Sequence, residues 1–165
     1  MTYILLEIDG VLTTNAYSQR CRQEHRQPNL FGLDWFAPTC VDALRRIIDA
    51  TGAKVVISSS CRDVGLEGLR KVWESNHMPG ELSGAISERG LIKAEAIQEW
   101  IRIHSDDRFV ILDVDDLRLP RQVIIEPENG LTLSDASKAI NLLNIPIFQT
   151  SDRLKRIMGR LLSED

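Results

Sequence analysis

Three short stretches of this chain carry side chains that could do chemistry together. Glu7 and Asp9 close the apolar run Tyr3-Ile4-Leu5-Leu6 and precede Gly10. Carboxylates at i and i+2 of an extended chain point to the same side. Such a pair suits a divalent metal, a nucleophile, or a general acid and base. The plainer reading is a polar turn after a core strand. Ser58-Ser59-Ser60-Cys61-Arg62 follows a second apolar run, Val55-Val56-Ile57. Hydroxyls followed by a guanidinium suit a phosphate or phosphoryl oxygen; serine capping a helix is the alternative. Cys61 reads as a small buried residue, not a nucleophile, because no histidine is paired with it. Asp113-Val114-Asp115-Asp116 follows a third run, Phe109 to Leu112.

The elements that must position these groups follow from the apolar pattern. Continuous apolar runs bounded by turn signals predict strands buried on both faces of a parallel sheet. Pro38 opens a helix with Val41, Leu44, Ile47 and Ile48 inward, and Gly52 stops it. A second helix is predicted from Gly65 to Asn76, and a third begins near Lys93 with Ala96, Ile97, Trp100 and Ile101 inward. Residues 78–90 read as a loop. Gln122 to Ile125 reads as a fourth strand, Thr132 to Leu143 as a helix, and Ile145 to Phe148 as a short edge strand. A last helix is expected at about 151–162. Strands alternating with helices predict an α/β domain with a mostly parallel sheet. The polar groups after each strand would gather at the sheet edge where open α/β folds bind ligands. Lys93, at a helix start, could join them.

Residues 13–37 form a long polar excursion after the first strand. It carries Tyr17, Arg20, Arg22, His25 and Arg26 against one acid, Glu24, before the apolar stretch 30–36. Loops of this length are usually functional or disordered. Its positive charge could guide an anionic substrate, or it could be a solvated surface.

The 165 residues are one domain's worth, 43% hydrophobic and 27% charged, as in ordinary globular proteins. A net charge of −4 argues against a duplex nucleic-acid footprint. No apolar run approaches membrane-spanning length, and the apolar start reads as a core strand, not a signal peptide. Cys21, Cys40 and Cys61 lack C-x-x-C spacing. Free thiols in a reducing, cytoplasmic compartment are expected.

The chain resembles the haloacid dehalogenase-like (HAD) phosphohydrolases. The likeness rests on Glu7-Ile8-Asp9-Gly10-Val11-Leu12, Ser58 within Val55 to Arg62, Lys93, and Asp113-Val114-Asp115-Asp116. It also resembles the HAD domain of Swiss Army Knife RNA-repair proteins. That group has a serine run ending in arginine, a basic residue opening a helix like Lys93 to Trp100, and a segment like Glu126 to Thr132. The resemblance implies a three-layer α/β sandwich with a Rossmann-like, HAD-type sheet and a minimal cap. The Glu7 strand would be central, flanked by the strands ending at Ser58 and Asp113. It implies a single domain over 1–165, with residues 13–37 as a cap-like insert.

The resemblance also implies roles. The residue at position 7 would attack phosphorus and bind Mg2+, and Asp9 would be the acid and base, with its carbonyl on the metal. Ser58 would hold phosphoryl oxygens, and Lys93 would neutralise developing charge. Asp113, with Asp115 or Asp116, would complete the metal site. Ser60 competes with Ser58 for the phosphate role, and Arg62 is beside it; from the positive charge of the insert, Arg20 and Arg22 would contact the same ligand, a phosphorylated small molecule or polynucleotide end. Two departures fall at the metal site. Position 7 is Glu where the family has Asp, and Val114 stands where an aspartate is frequent. The added methylene moves the attacking oxygens by about 1 Å, which can cost on the order of 10²-fold in rate. A non-catalytic domain binding a phosphorylated ligand is the competing reading. The order of the groups disfavours a receiver-type phosphoacceptor.

Overall fold

Strand β1 (Thr2–Leu6) is the centre of a five-stranded parallel sheet. A computed structural model describes residues 1–58, 64–87 and 90–145. β2 (Lys54–Ile57) and β4 (Arg108–Asp113) pair with β1 on either side. β3 (Leu82–Ala85) extends the sheet beyond β2, and β5 (Gln122–Ile124) extends it beyond β4. The flanking arrangement is the one the resemblance implies.

The three inner strands are apolar along their length because both faces of the sheet are covered. Ile4 and Leu6 join Val55, Ile57, Val110 and Leu112 in one core. Helices α2 (Pro38–Thr51), α3 (Gly65–Ser75) and α5 (Leu133–Asn144) cover that face. Leu5, Val56, Phe109 and Ile111 point the other way and meet Ile97 of α4 (Lys93–Ile103). Each fully buried aliphatic side chain contributes roughly 1.5–3 kcal/mol through area removed from water. The result is a three-layer α/β sandwich in which, among the described residues, α4 is the helix that faces the second side of the sheet.

Helix boundaries follow local chemistry. Pro38 opens α2, where its missing N–H is not needed, and Gly52 closes it in the left-handed region at φ 65°. Thr132 and Asp135 cap α5 reciprocally. No helix among the described residues is long and apolar enough to cross a membrane.

Two predicted loops contain regular structure. Residues 13–37 hold helix α1 (Asn15–Gln23) and a single 3-10 turn at Leu30–Gly32. Only Ser18 and Cys21 of α1 are buried, so no apolar stripe announces it. The Thr14 cap, whose hydroxyl accepts from the Tyr17 N–H at 3.3 Å, begins it. The segment read as a loop at 78–90 contains β3, whose sequence Leu-Ser-Gly-Ala has little strand propensity. Pairing with β2 orders it, with a register shift between Val55 and Val56. The edge strand expected at 145–148 and the helix expected at 151–162 lie outside the described residues, apart from Ile145.

Gly130 joins the loop after β1 to the α2 layer. It sits at φ 65°, and a Cβ there would lie 2.5 Å from Cys40 Sγ and 2.9 Å from Thr14 Cγ2. Gly130→Ala should therefore cost on the order of 3 kcal/mol, from overpacking and a left-handed backbone together. Urea unfolding is the measurement, and a loss below about 1 kcal/mol would show that the α1–α2 junction yields.

Candidate active site

The register of the sheet brings the candidate residues together. Leu6 is level with Ile57 on one side and Leu112 on the other. The next position on each strand is Glu7, Ser58 and Asp113. The Glu7 N–H donates to the Leu112 carbonyl at 3.0 Å, and the Ser58 N–H donates to the Leu6 carbonyl at 2.9 Å. Side chains two apart share a face, so these three continue the row Leu5, Val56 and Ile111 beneath α4. Ile97 packs on that row. Lys93 lies one helical turn before Ile97, on the same face of α4. It therefore reaches the polar row just as Ile97 reaches the apolar one.

The Lys93 ammonium bridges two carboxylates. It hydrogen-bonds Glu7 Oε2, and it stands 2.6 Å from Asp113 Oδ2 as an ion pair outside hydrogen-bonding angles. Glu7 is buried and Asp113 is fully buried. The remaining oxygens are held by backbone. Glu7 Oε1 accepts from the Ile8 and Asp9 N–H groups at 2.7 and 3.2 Å, and Asp113 Oδ1 accepts from the Asp115 N–H at 3.0 Å. Glu7 is long enough to curl back onto its own backbone in this way. Burial alone would lower the Lys93 pKa, but Asp113 and Glu7 outweigh it and raise it. Burial pushes the Asp113 carboxyl up, against the pull of Lys93 and the Asp115 N–H. A cation in the first turn of a helix opposes the helix dipole; here two buried carboxylates offset it.

Ser58 presents a buried hydroxyl with no hydrogen-bond partner among the described residues. An unpaired buried hydroxyl costs about 1–3 kcal/mol, and a ligand oxygen there could supply a partner. Ser60 and Arg62, read from sequence as phosphate contacts, lie outside the described residues, as does Cys61.

Asp9 is exposed, one step beyond this cluster. Gly10 at φ 77° turns the chain, and the Val11, Leu12 and Thr13 N–H groups all point to the Ile8 carbonyl. Asp9 then lines a cavity of about 250 Å³ with Gly10, Thr13, Thr14, Asn15, Asp34 and Pro127. Although the residue is exposed, its carboxyl is partly desolvated, and its pKa is raised first by that desolvation, then by Glu7 and Asp34, with Lys93 opposing. A carboxyl that holds its proton more strongly suits a general acid.

The remaining sequence candidates are placed differently. Asp115 and Asp116 are exposed. Asp116 Oδ1 accepts from the Arg118 N–H at 3.0 Å and is committed to a turn, which leaves Asp115 the freer carboxylate. Within the insert, Arg22 pairs with Asp34 at 2.8 Å and Arg26 with Glu24 at 2.6 Å. Arg20 lies over the Tyr17 ring at 5.9 Å. The charge of Arg22 and Arg26 is thus largely spent on neighbouring acids. Asp34 was not singled out by sequence reasoning. Its one signal is a lone acid inside the apolar stretch Leu30 to Phe36.

The donor set suits Mg2+ in kind. Glu7, Asp9 and Asp113 are hard oxygen donors, and three carboxylates against one ammonium leave two negative charges uncompensated. Among the described residues, however, no three acidic, histidine or cysteine side chains stand together as a ready metal shell. A divalent ion would have to take Glu7 or Asp113 from Lys93.

One family model matches the chain: the HAD domain in Swiss Army Knife RNA repair proteins, over residues 3–136. No curated protein and no solved structure matches it. The match spans most of the chain and includes Glu7, Asp9, Ser58, Lys93 and Asp113. The chain belongs to this family of HAD domains.

Lys93→Met keeps the apolar stem and removes the charge. It leaves two buried carboxylates facing each other, so stability should fall by about 2–4 kcal/mol. The Asp113 carboxyl, already raised by burial, would lose the Lys93 charge that opposes the rise. Stability would decline as pH rises through its raised pKa, and the deficit should shrink in acid. Urea titrations of both proteins at neutral and acid pH check this; a pH-independent deficit would mean that lost packing, not charge, is responsible.

Proposed function

We propose that this HAD domain is a phosphohydrolase that cleaves phosphate monoesters through an acyl-phosphate on Glu7. The observation that carries this reading is the convergence of Glu7, Ser58, Asp113 and Lys93 in one row at the carboxyl edge of the sheet. The family's printed connection with RNA repair points to phosphorylated polynucleotide ends as substrate, with small phosphate esters as the simpler class.

In the proposed reaction a Glu7 oxygen attacks phosphorus as the bond to the leaving oxygen breaks. Asp9 gives that oxygen its proton. A water then attacks the phosphorus of the acyl-phosphate, Asp9 takes a proton from it, and the Glu7 carboxylate is released with inorganic phosphate. The Ser58 hydroxyl and the Lys93 ammonium hold the phosphoryl oxygens. Charge stabilisation is most of what phosphoryl transfer needs from a protein. Glu7, the Asp9 carbonyl and Asp113, with Asp115 at the rim, would hold Mg2+, which would supply further positive charge against the phosphoryl group. The 13–37 segment would act as a small cap at the Asp9 side, within a single domain. The buried free thiols Cys21 and Cys40 accord with a cytoplasmic setting.

One observation favours a weakened enzyme or a binding domain. Both Glu7 oxygens are engaged, one by Lys93 and one by the Ile8 and Asp9 N–H groups. Attack requires one to be freed. Aspartate is too short to fold back in the same way.

Glu7→Asp should raise turnover of an aryl phosphate tenfold or more, because reactive geometry tolerates little displacement. Glu7→Ala should be inactive. Assays of all three proteins with Mg2+ and with a chelator decide the point. A native form faster than Glu7→Asp would mean the site is adapted to glutamate. Silence from all three on every phosphate ester would leave the binding reading.

Millimolar Mg2+ should raise the thermal midpoint of the native protein, and more so for Lys93→Met, in which the ammonium no longer competes for Glu7 and Asp113. Unchanged midpoints in both would remove Mg2+ from the reading.

A further inference from the structure

The cavity beside Asp9 lies on the leaving-group side of the proposed reaction, and its outer wall is a residue of the insert. Asp34 is fixed there from several directions. Arg22 Nη2 donates to its Oδ1 at 2.8 Å, and the Asn29 amide donates to its backbone carbonyl at 2.7 Å. The Arg22 guanidinium in turn lies 5.9 Å from the centre of the Trp35 ring. Asp34 Oδ2 accepts no hydrogen bond among the described residues. A carboxylate oriented by Arg22, with Oδ2 without a partner among the described residues, is a ready acceptor.

The cavity's chemistry limits what it takes. At about 250 Å³ it falls below the roughly 300–1,000 Å³ of pockets for drug-sized ligands. It admits a small group. Asp9 and Asp34 together repel a second phosphate, so the occupant is not an anion and is rich in donors. Thr13 and Asn15 add polar atoms to the wall. A sugar hydroxyl fits this description, and carboxylates are established acceptors for ribose hydroxyls in nucleotide sites. The oxygen that Asp9 protonates and the hydroxyl on the adjacent sugar carbon are close neighbours, so one small cavity can hold both.

Resting on the phosphohydrolase reading above, we propose that Asp34 accepts a hydrogen bond from the sugar hydroxyl next to the phosphate ester. The cavity shared by Asp34 and Asp9 then selects a ribose-type leaving group. The insert serves as a sugar reader, and its arginine Arg22 positions the reading carboxylate. The 2′-hydroxyl is the group by which a protein distinguishes RNA from DNA at a given position.

The test uses the full chain and three short oligonucleotides with a 3′-phosphate. Their terminal sugars are ribose, 2′-deoxyribose and 2′-O-methylribose. Binding is followed by fluorescence anisotropy and turnover by phosphate release. The ribose end should bind about tenfold more tightly than the other two, because both lack the donor. Asp34→Ala should bring the three within about twofold. Asp34→Asn, which keeps the size and one acceptor oxygen, should retain part of the preference; it also guards against a folding defect in the alanine form. Binding that prefers ribose without any turnover upholds the sugar reader and counts against polynucleotide ends as substrates of the phosphohydrolase. Equal binding of the three ends, absence of binding, or a preference untouched in Asp34→Ala overturns the inference, whatever turnover shows.

Discussion

The ion pair of the Lys93 ammonium with Glu7 and Asp113 is the constraint on which the site depends. A fully buried carboxylate such as Asp113 cannot remain charged without a partner, because desolvation of an isolated ion costs several kcal/mol. Lys93 is that partner, and it serves Glu7 as well. It can do so only because the Ile97 turn of α4 is docked on Leu5, Val56 and Ile111. The apolar row holds the helix, the helix holds the ammonium, and the ammonium holds the acids. A replacement in the apolar row would reach the chemistry through this chain of contacts.

The same arrangement sets which face of the sheet the polar row occupies. Among the described residues, three helices cover one face of the sheet and α4 meets the other. The polar row Glu7, Ser58 and Asp113 faces the α4 side, with the first turn of α4 over Glu7 and Asp113. The helix breaks a local rule there, with a lysine in its first turn against the dipole. Violations of local preference of this kind mark functional positions when a tertiary contact offsets them. The Ser58 hydroxyl, without a partner among the described residues, is a second such feature at the same place. Two unfavourable features in one row accord with a surface shaped for a ligand.

Glutamate at position 7 changes the economy of the site. Its extra methylene lets Oε1 reach the backbone N–H groups of Ile8 and Asp9 while Oε2 meets Lys93. That conformation gives both carboxylate oxygens a partner. Asp9 is placed otherwise. It leaves the cluster through the turn at Gly10 and opens onto the cavity walled by Asp34. The two carboxylates are thereby separated, Glu7 on Lys93 and Asp9 on the cavity.

Much of the plan was legible from residues alone. Apolar runs without alternation at Ile4 to Leu6, Val55 to Ile57 and Phe109 to Leu112 meant strands buried on both faces. Polar residues at their ends meant a site at the carboxyl edge, because that edge is where such chains turn. What the linear chain withheld was set by contacts between elements. α1 has no apolar stripe, only a threonine cap and two small buried residues, so periodicity could not show it. β3 is a strand by virtue of its pairing with β2, not of its composition. The charges of Arg22 and Arg26 looked free in a positive stretch, and local folding pairs them with Asp34 and Glu24. Composition and spacing determined the fold class and named the acids, since hydrophobic pattern and residue type are local properties. Only the tertiary structure decided which acids share one lysine, which faces a cavity, and which residue of the insert stands opposite it, since those depend on the register of strands and the docking of one helix.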